Sequence, residues 1–250
     1  MKTSTEWVYG YHAVHALLSV APERVKVIFL QSQHSRSSEL RALAHSMGIA
    51  IQPASAATLA KLVGEDANHQ GVACQCQPLT HSESDLNALL EQAETEALPP
   101  LVLVLDGVED PHNLGACLRS ANIFGAVCVL TPKDRAAPLT AVACKVASGA
   151  AVLTPVIRVT NLARTLRELK EKGFWIVGLA GEGAEALSAV DCKGPIVLVL
   201  GREGEGLREI TRKQCDFLAY IPMHGAIESL NVSAAAAIAL YETRRQQATL

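Results

Sequence analysis

From residue 101 onward, uninterrupted apolar runs alternate with helical stripes. Leu101-Val-Leu-Val-Leu-Asp106 is apolar up to its last residue, the pattern of a strand covered on both faces in a parallel sheet. It predicts a helix over Leu114–Phe124 next, with Asn113 as N-cap, and then a strand over Val127–Leu130. A second helix, Asn161–Lys172, has an Asn at its start, a Leu162/Leu166/Leu169 stripe and Gly173 as its stop. Phe174–Leu179, Ile196–Leu200 and Phe217–Ile221 read as further strands, and a final helix runs from about Val232 to Gln247. Strands spaced by helices predict βαβ units and a parallel sheet.

The first 77 residues read as a smaller α/β unit. Val25–Leu30, Ile49–Ile51 and the alternating Gly71–Gln77 are its expected strands, and Ser37–Met47 its helix. Residues 83–97 have the pattern of an acidic amphipathic helix with Leu86, Leu89 and Leu90 inward, closed by Pro99-Pro100. The expected organisation is therefore a small domain over 1–77, an acidic connector over 78–98 and a larger α/β domain over 99–250.

Charge sharpens that division. Residues 78–98 carry five acidic residues and no base, whereas each flanking part is net +1, so the overall charge of −3 hides two mildly basic parts. A nucleic-acid partner then needs a local basic surface. Arg24, Lys26, Arg36, Arg41 and the polar stretch Gln31–Ser38 are candidates for phosphate contacts, or else a solvated face. With 49 % hydrophobic and 19 % charged residues the chain is no disordered polymer, and 250 residues are enough for a core without staples. No apolar run approaches the ~18 residues of a membrane span. The start MKTSTEWVYGYH has no apolar leader, and seven cysteines without a CxxC spacing suit buried thiols in a reducing compartment. The expectation is a cytoplasmic protein with no metal site. Aromatics are 4 %, too few for a multi-aromatic stacking platform.

Three glycine-bearing polar segments follow expected strands: 106–121, 201–207 and 221–231. In an open parallel sheet, ligands sit beyond the carboxyl ends of the strands, and glycines let backbone come close to a ligand. Each segment alone could be an ordinary turn; three on one sheet point to a site. Gly181-Glu-Gly-Ala-Glu-Ala186 fits the spacing of a dinucleotide fingerprint. However, it opens too short a helix, and Glu182 and Glu185 would repel a pyrophosphate.

Taken together, LDGVEDPHNLGACLRSA, LVLGREGEGL and IPMHGAIESLNVSAAAAIALYE resemble, in order, the three motifs of the SpoU group of the SPOUT methyltransferases. YGYHAVHALL and the small domain resemble the substrate-binding extension of members that modify large-subunit ribosomal RNA. The resemblance implies S-adenosyl-L-methionine as methyl donor and, as acceptor, a guanosine ribose 2′-hydroxyl in 23S rRNA or a large-subunit precursor, in the peptidyl-transferase P-loop region. It also implies a homodimer and a deep C-terminal trefoil knot, which general fold rules treat as exceptional. The motif positions implied as catalytic are Asn113, Arg119, Glu203, Ser229 and Asn231. Those implied to hold the cofactor are Leu200, Gly201, Ile221, Pro222, Met223 and Leu230. Within the same resemblance, a tRNA ribose methyltransferase and a non-catalytic RNA-binding assembly factor are the alternatives.

Guanidinium chemistry limits one of these roles. Arginine stays protonated up to a pKa above about 12, so Arg119 suits a bidentate phosphate anchor that also stabilises a developing alkoxide. Glu203 suits an orienting partner, and Ser229 and Asn231 suit short hydrogen bonds or capping of the final helix.

Overall fold

A computed structural model describes residues 5–32, 37–225 and 229–248, so Arg36 lies outside the described residues. The chain forms two compact units, one taking in the chain up to Leu79 together with Leu139–Leu153, the other Thr80–Pro138 and Thr154–Leu250.

The first unit contains β1 (Glu6–Tyr9), α1 (Tyr11–Val20), β2 (Val25–Leu30), α2 (Ser37–Ser46), β3 (Ile51–Pro53), α3 (Ala56–Val63) and β4 (Val72–Cys76). Its sheet order is β1-β4-β2-β3, with β4 antiparallel to both neighbours and β2 parallel to β3. Tyr9, Leu59 and Ala73 are buried together, and Trp7 and Phe29 pack against them.

The second unit contains β5 (Thr80–His81), α4 (Leu86–Ala93), β6 (Leu101–Asp106), α5 (Pro111–Ile123) and β7 (Cys128–Pro132). The chain then contributes α6 (Ala141–Val146) and α7 (Ala150–Leu153) to the first unit. It resumes in the second with β8 (Val156–Val159), α8 (Leu162–Glu171), β9 (Trp175–Leu179), β10 (Glu185–Ala186), β11 (Ile196–Gly201), α9 (Glu209–Arg212), β12 (Phe217–Tyr220) and α10 (Val232–Gln247). The sheet order is β10-β12-β9-β11-β6-β7-β8-β5, and every pairing is parallel. The apolar runs behave as such a sheet demands: β6 is buried along its whole length, as is β11 up to Leu200. Leu166 and Leu169 of the α8 stripe are buried among them, each contributing about 1.5–3 kcal/mol of burial.

Three sequence expectations change. The stretch over 78–98 is not a free connector. Thr80 and His81 pair with Val156 and Ile157 of β8, and Leu86 and Leu90 enter the core of the second unit; apolar positions on one helix face outweigh the acidic face around them. Residues 139–153 leave the expected 99–250 domain because Leu139, Ala143, Cys144, Ala147, Ala150 and Ala151 are all buried where α6 packs on β1 and α7 on α1. Finally, α5 starts at Pro111, and Asp110 rather than Asn113 caps it, accepting from the His112 N–H at 2.9 Å. Proline at the first helical turn and aspartate before it are the preferred start, and the Asn113 side chain is left for other partners.

Candidate active site

The expected polar segments, the third over residues 221–225 and 229–231, lie beyond the carboxyl ends of β6, β11 and β12. The 201–207 segment folds back on itself: the Arg202 N–H donates to the Gly206 carbonyl (3.0 Å) and the Gly206 N–H to the Arg202 carbonyl (2.8 Å). At Gly201 a Cβ would lie 2.1 Å from both the carbonyl carbon and the oxygen of Gly206, so this close return accepts no side chain. The base of the loop is fixed by Asp106. This carboxylate is fully buried and accepts from the Arg208 side chain and, at 3.2 Å, from the Arg208 N–H.

A cavity of about 290 Å³ opens beside the loop, near the lower end of small-molecule sites. Leu200, Gly201, Ile221, Met223 and Leu230 line it, and so do Glu203 and Ser229. Pro222 does not. Met223 and Leu230 are 41 % and 38 % exposed, apolar side chains that a bound flat ring would cover. Sequence reasoning missed the fourth wall, Leu179–Glu182, together with Tyr220 and Val232. The strand-end rule that singled out the other loops applies equally after β9. Residues 181–186 fail as a dinucleotide fingerprint but stand at a strand end like the other loops.

At the edge of the cavity, one oxygen of Glu203 collects three donors. Asn113 Nδ2 lies at 3.2 Å, Asn231 Nδ2 at 2.8 Å and the Val232 N–H at 3.0 Å. Asn231 also donates to Asn113 Oδ1 (3.0 Å), while its own Oδ1 accepts from the Ser233 N–H at 2.9 Å and so caps α10. A carboxylate at the first turn of a 16-residue helix also meets the positive end of its dipole. Below this cluster, burial and then the nearby Glu203 charge push the Cys117 thiol up to about 12, which keeps it a neutral packing group.

The fold thus brings together Asn113, Glu203 and Asn231, with Ser229 on the cavity wall. It does not bring Arg119 to them. Arg119 is exposed on α5 and, among the described residues, its side chain makes no hydrogen bond or ion pair; Ile123, one turn further on, is 67 % exposed. In the first unit, Arg24 donates to the Pro78 carbonyl at 3.2 Å, and Arg41 lines a shallow cleft with Ser32, Ser37, Ser38 and His45. Among the described residues, no group of three or more His, Cys, Asp or Glu could hold a metal ion, and no helix is long and apolar enough to cross a membrane.

Comparison with known proteins shows the family and the fold. Residues 100–241 match the model of the SpoU rRNA methylase family, and residues 7–82 match that of the RNA 2′-O ribose methyltransferase substrate-binding domain. The chain is 48 % identical over 243 residues to the 23S rRNA (guanosine-2′-O-)-methyltransferase RlmB of Coxiella burnetii, covering 96 % of this chain and 95 % of that protein. It is 49 % identical over 246 residues to RlmB of Yersinia pestis, covering 97 % and 98 %. In fold it is similar to the SpoU methyltransferase AviRb from Streptomyces viridochromogenes, solved in complex with AdoMet. There the TM-score is 0.80 at 24 % identity, over 97 % of this chain and 90 % of that one.

Proposed function

The chain belongs to the SpoU rRNA methylase family, and from that premise we propose that it transfers the methyl group of S-adenosylmethionine to the ribose 2′-hydroxyl of a guanosine in 23S rRNA. The observation that carries this reading is the Glu203–Asn113–Asn231 cluster at the edge of a glycine-bounded cavity, in a chain matched along nearly its whole length by named 23S rRNA methyltransferases. The residues present fit the cofactor. Ile221, Met223 and Leu230 offer an apolar slot for a purine, and the folded-back loop offers backbone polar groups.

When bound, S-adenosylmethionine supplies an electrophilic methyl for an in-line displacement. The chain must then hold the acceptor oxygen in line, ease its proton away and keep water out. Glu203 acts as the hub that orients the two amides, because its oxygen is already taken by three donors. Asn113, Asn231 and Ser229 position the ribose. Arg119 binds the adjacent phosphate with its planar fork and stabilises the forming alkoxide while staying protonated.

The reading includes a homodimer. Ala234, Ile238 and Tyr241 share an exposed face of α10, with Ile238 and Tyr241 at 41 % and 56 % exposure, and residues this spaced on a helix are neighbours. Ile123 adds a similar surface on α5, the helix packed against α10. Arg119 precedes Ile123 by one turn, so pairing through this surface places its guanidinium at the junction of two copies. The reading also includes the trefoil knot, supported by the path of the chain. β12 lies on the β9 side of β11, whereas α10 packs on β11 and on α5, which follows β6 on the other side. A cytoplasmic location goes with the substrate, and the first unit, which carries the substrate-binding match, takes the role of selecting the RNA.

The test is to incubate the protein with labelled S-adenosylmethionine and total RNA from a strain lacking it, then map the product. One 2′-O-methylguanosine in 23S rRNA is expected. Label on a base, on tRNA alone, or nowhere would overturn the proposal.

A further inference from the structure

The turn after β9 has so far no role. It begins the segment whose spacing fits a dinucleotide fingerprint but whose carboxylates would repel a pyrophosphate. That objection does not apply to a nucleoside carrying a sulfonium and no phosphate. The turn is clamped onto the end of β12. Ala180 N–H donates to the Ala219 carbonyl (2.9 Å), Ala184 N–H to the Leu218 carbonyl (2.9 Å), and Gly183 N–H back to the Ala180 carbonyl (3.0 Å). Gly183 is pressed so close that a Cβ would lie 2.7 Å from the carbonyl carbon of Ala219. Glu182 therefore sits at the tip of a fixed turn, on the wall of the cavity.

Its side chain is held as well. Arg212 of α9 donates to Oε1 of Glu182. An ionised carboxylate has about four lone-pair sites on two oxygens, so acceptor capacity remains. Its own backbone N–H and then the guanidinium keep this carboxyl below the usual carboxylate range. The other two carboxylates of the cavity wall are engaged elsewhere, Glu203 by its three donors and Glu205 by Arg202 at 3.3 Å. The strand order fixes which part of a ligand Glu182 can meet. β9 and β12 lie on one side of β11, and β6, from which α5 and Asn113 follow, lies on the other. The reacting methyl belongs beside Asn113 and Asn231, and the nucleoside end belongs toward β9.

We propose that Glu182, positioned by Arg212, is the acceptor for the 2′,3′-diol of the cofactor ribose. A carboxylate with two oxygens matches two vicinal hydroxyls, and the same pairing serves adenosine ribose in dinucleotide folds. The inference rests on the cofactor reading given above. Glu182 is a binding residue, not a participant in methyl transfer.

The experiment is calorimetric titration of the full chain, without RNA, with S-adenosylmethionine, 5′-methylthioadenosine and 2′-deoxy-5′-methylthioadenosine. Wild type, Glu182→Gln, Glu182→Ala and Arg212→Gln are compared, each checked for an unchanged melting transition. Glu182→Ala is expected to weaken S-adenosylmethionine and methylthioadenosine alike by about tenfold or more, the scale of losing a charge-assisted hydrogen bond. Arg212→Gln should give a smaller loss. The deoxy analogue should bind wild type more weakly than its parent by a similar factor, and this penalty should vanish in Glu182→Ala. A full deoxy penalty surviving in Glu182→Ala would overturn the proposal. So would weakened S-adenosylmethionine with unchanged methylthioadenosine, because the carboxylate would then meet the methionine ammonium. If wild type bound neither adenosine compound, the cofactor reading itself would fall, an outcome separate from a wild type that binds both and variants that bind no worse.

Discussion

The two units handle polar groups differently. In the second, one all-parallel sheet sends the ends of β6, β9, β11 and β12 to the same edge. There the ion pair of a buried aspartate, a folded-back loop and a three-donor carboxylate converge. In the first, a mixed sheet of four strands leaves polar groups to the helix surfaces, Glu39 with Tyr11 and His15 and the cleft of Arg41 and His45. Parallel strands all point their carboxyl ends one way, so their loops pool into one site. Antiparallel neighbours send alternate loops to opposite ends and spread theirs. The second unit collects its polar groups at one strand edge.

That contrast can be broken, the largest effect first. Gly201→Val must force the 201–207 loop open, because its first side-chain atom would fall 2.1 Å from Gly206 backbone. Calorimetry with S-adenosylmethionine should show no binding, and the cofactor-induced rise in Tm required by linkage should disappear. Normal affinity would mean that the loop does not form the site. Next, Arg208→Ala leaves Asp106, fully buried, without its cation, and should cost about 3–5 kcal/mol in urea unfolding. A loss below about 1 kcal/mol would show that the pair does not brace the edge.

The first unit predicts smaller effects. Arg41→Ala should raise the KM for RNA several-fold with kcat unchanged, and should flatten the salt dependence of binding by about 0.7–0.9 in log–log slope, one phosphate contact. An unchanged slope would remove Arg41 from the RNA surface. The smallest effect belongs to Glu83, back in the second unit. Burial alone would raise its carboxyl, but the Thr160 N–H and then the Arg164 guanidinium bring it below the ordinary value. A depressed folded pKa means stability present above the unfolded value of about 4.3 and lost as pH falls through the folded one. Glu83→Gln should cost less than about 1 kcal/mol at pH 7, and the cost should shrink as pH falls through the folded pKa. A cost unchanged by that fall would assign the effect to packing rather than charge.

How much of this was legible in the sequence follows from where each signal resides. Apolar runs such as Leu101–Leu105 announce buried parallel strands, because covering both faces leaves no room for alternation. Motif resemblance puts Asn113, Glu203 and Asn231 among five implied catalytic positions, but the hydrogen bonds that join them span up to 118 positions, which no local pattern encodes. Asn113 was expected as a cap, because a single-sequence reading sees a capping residue before an apolar stripe and not the better start at Asp110-Pro111. Residues 139–153, which the sequence reads with the 99–250 domain, pack in the first compact unit for a similar reason. Ala143, Ala147 and Ala150 make a weak apolar stripe whose partners, α1 and β1, lie more than 120 positions earlier in the chain. The same fact rules out excising residues 99–250 as a clean test of the second unit, since the cut would bare that stripe and remove β5 and the buried Leu86 and Leu90.

The central proposal is that the carboxyl edge of the second unit performs methyl transfer by electrostatic positioning, with Arg119, brought in at the junction of two copies, as the cation. Its most direct test is the single-turnover methylation rate of Arg119→Gln at saturating RNA and S-adenosylmethionine, beside Arg119→Lys and Arg119→Ala. The account predicts a fall of at least about 10²-fold for Gln and Ala, the scale of losing one preorganised donor, partial recovery in Lys, and cofactor affinity within a few-fold in all three. A neutral Gln variant that methylates at near the wild-type rate would contradict it.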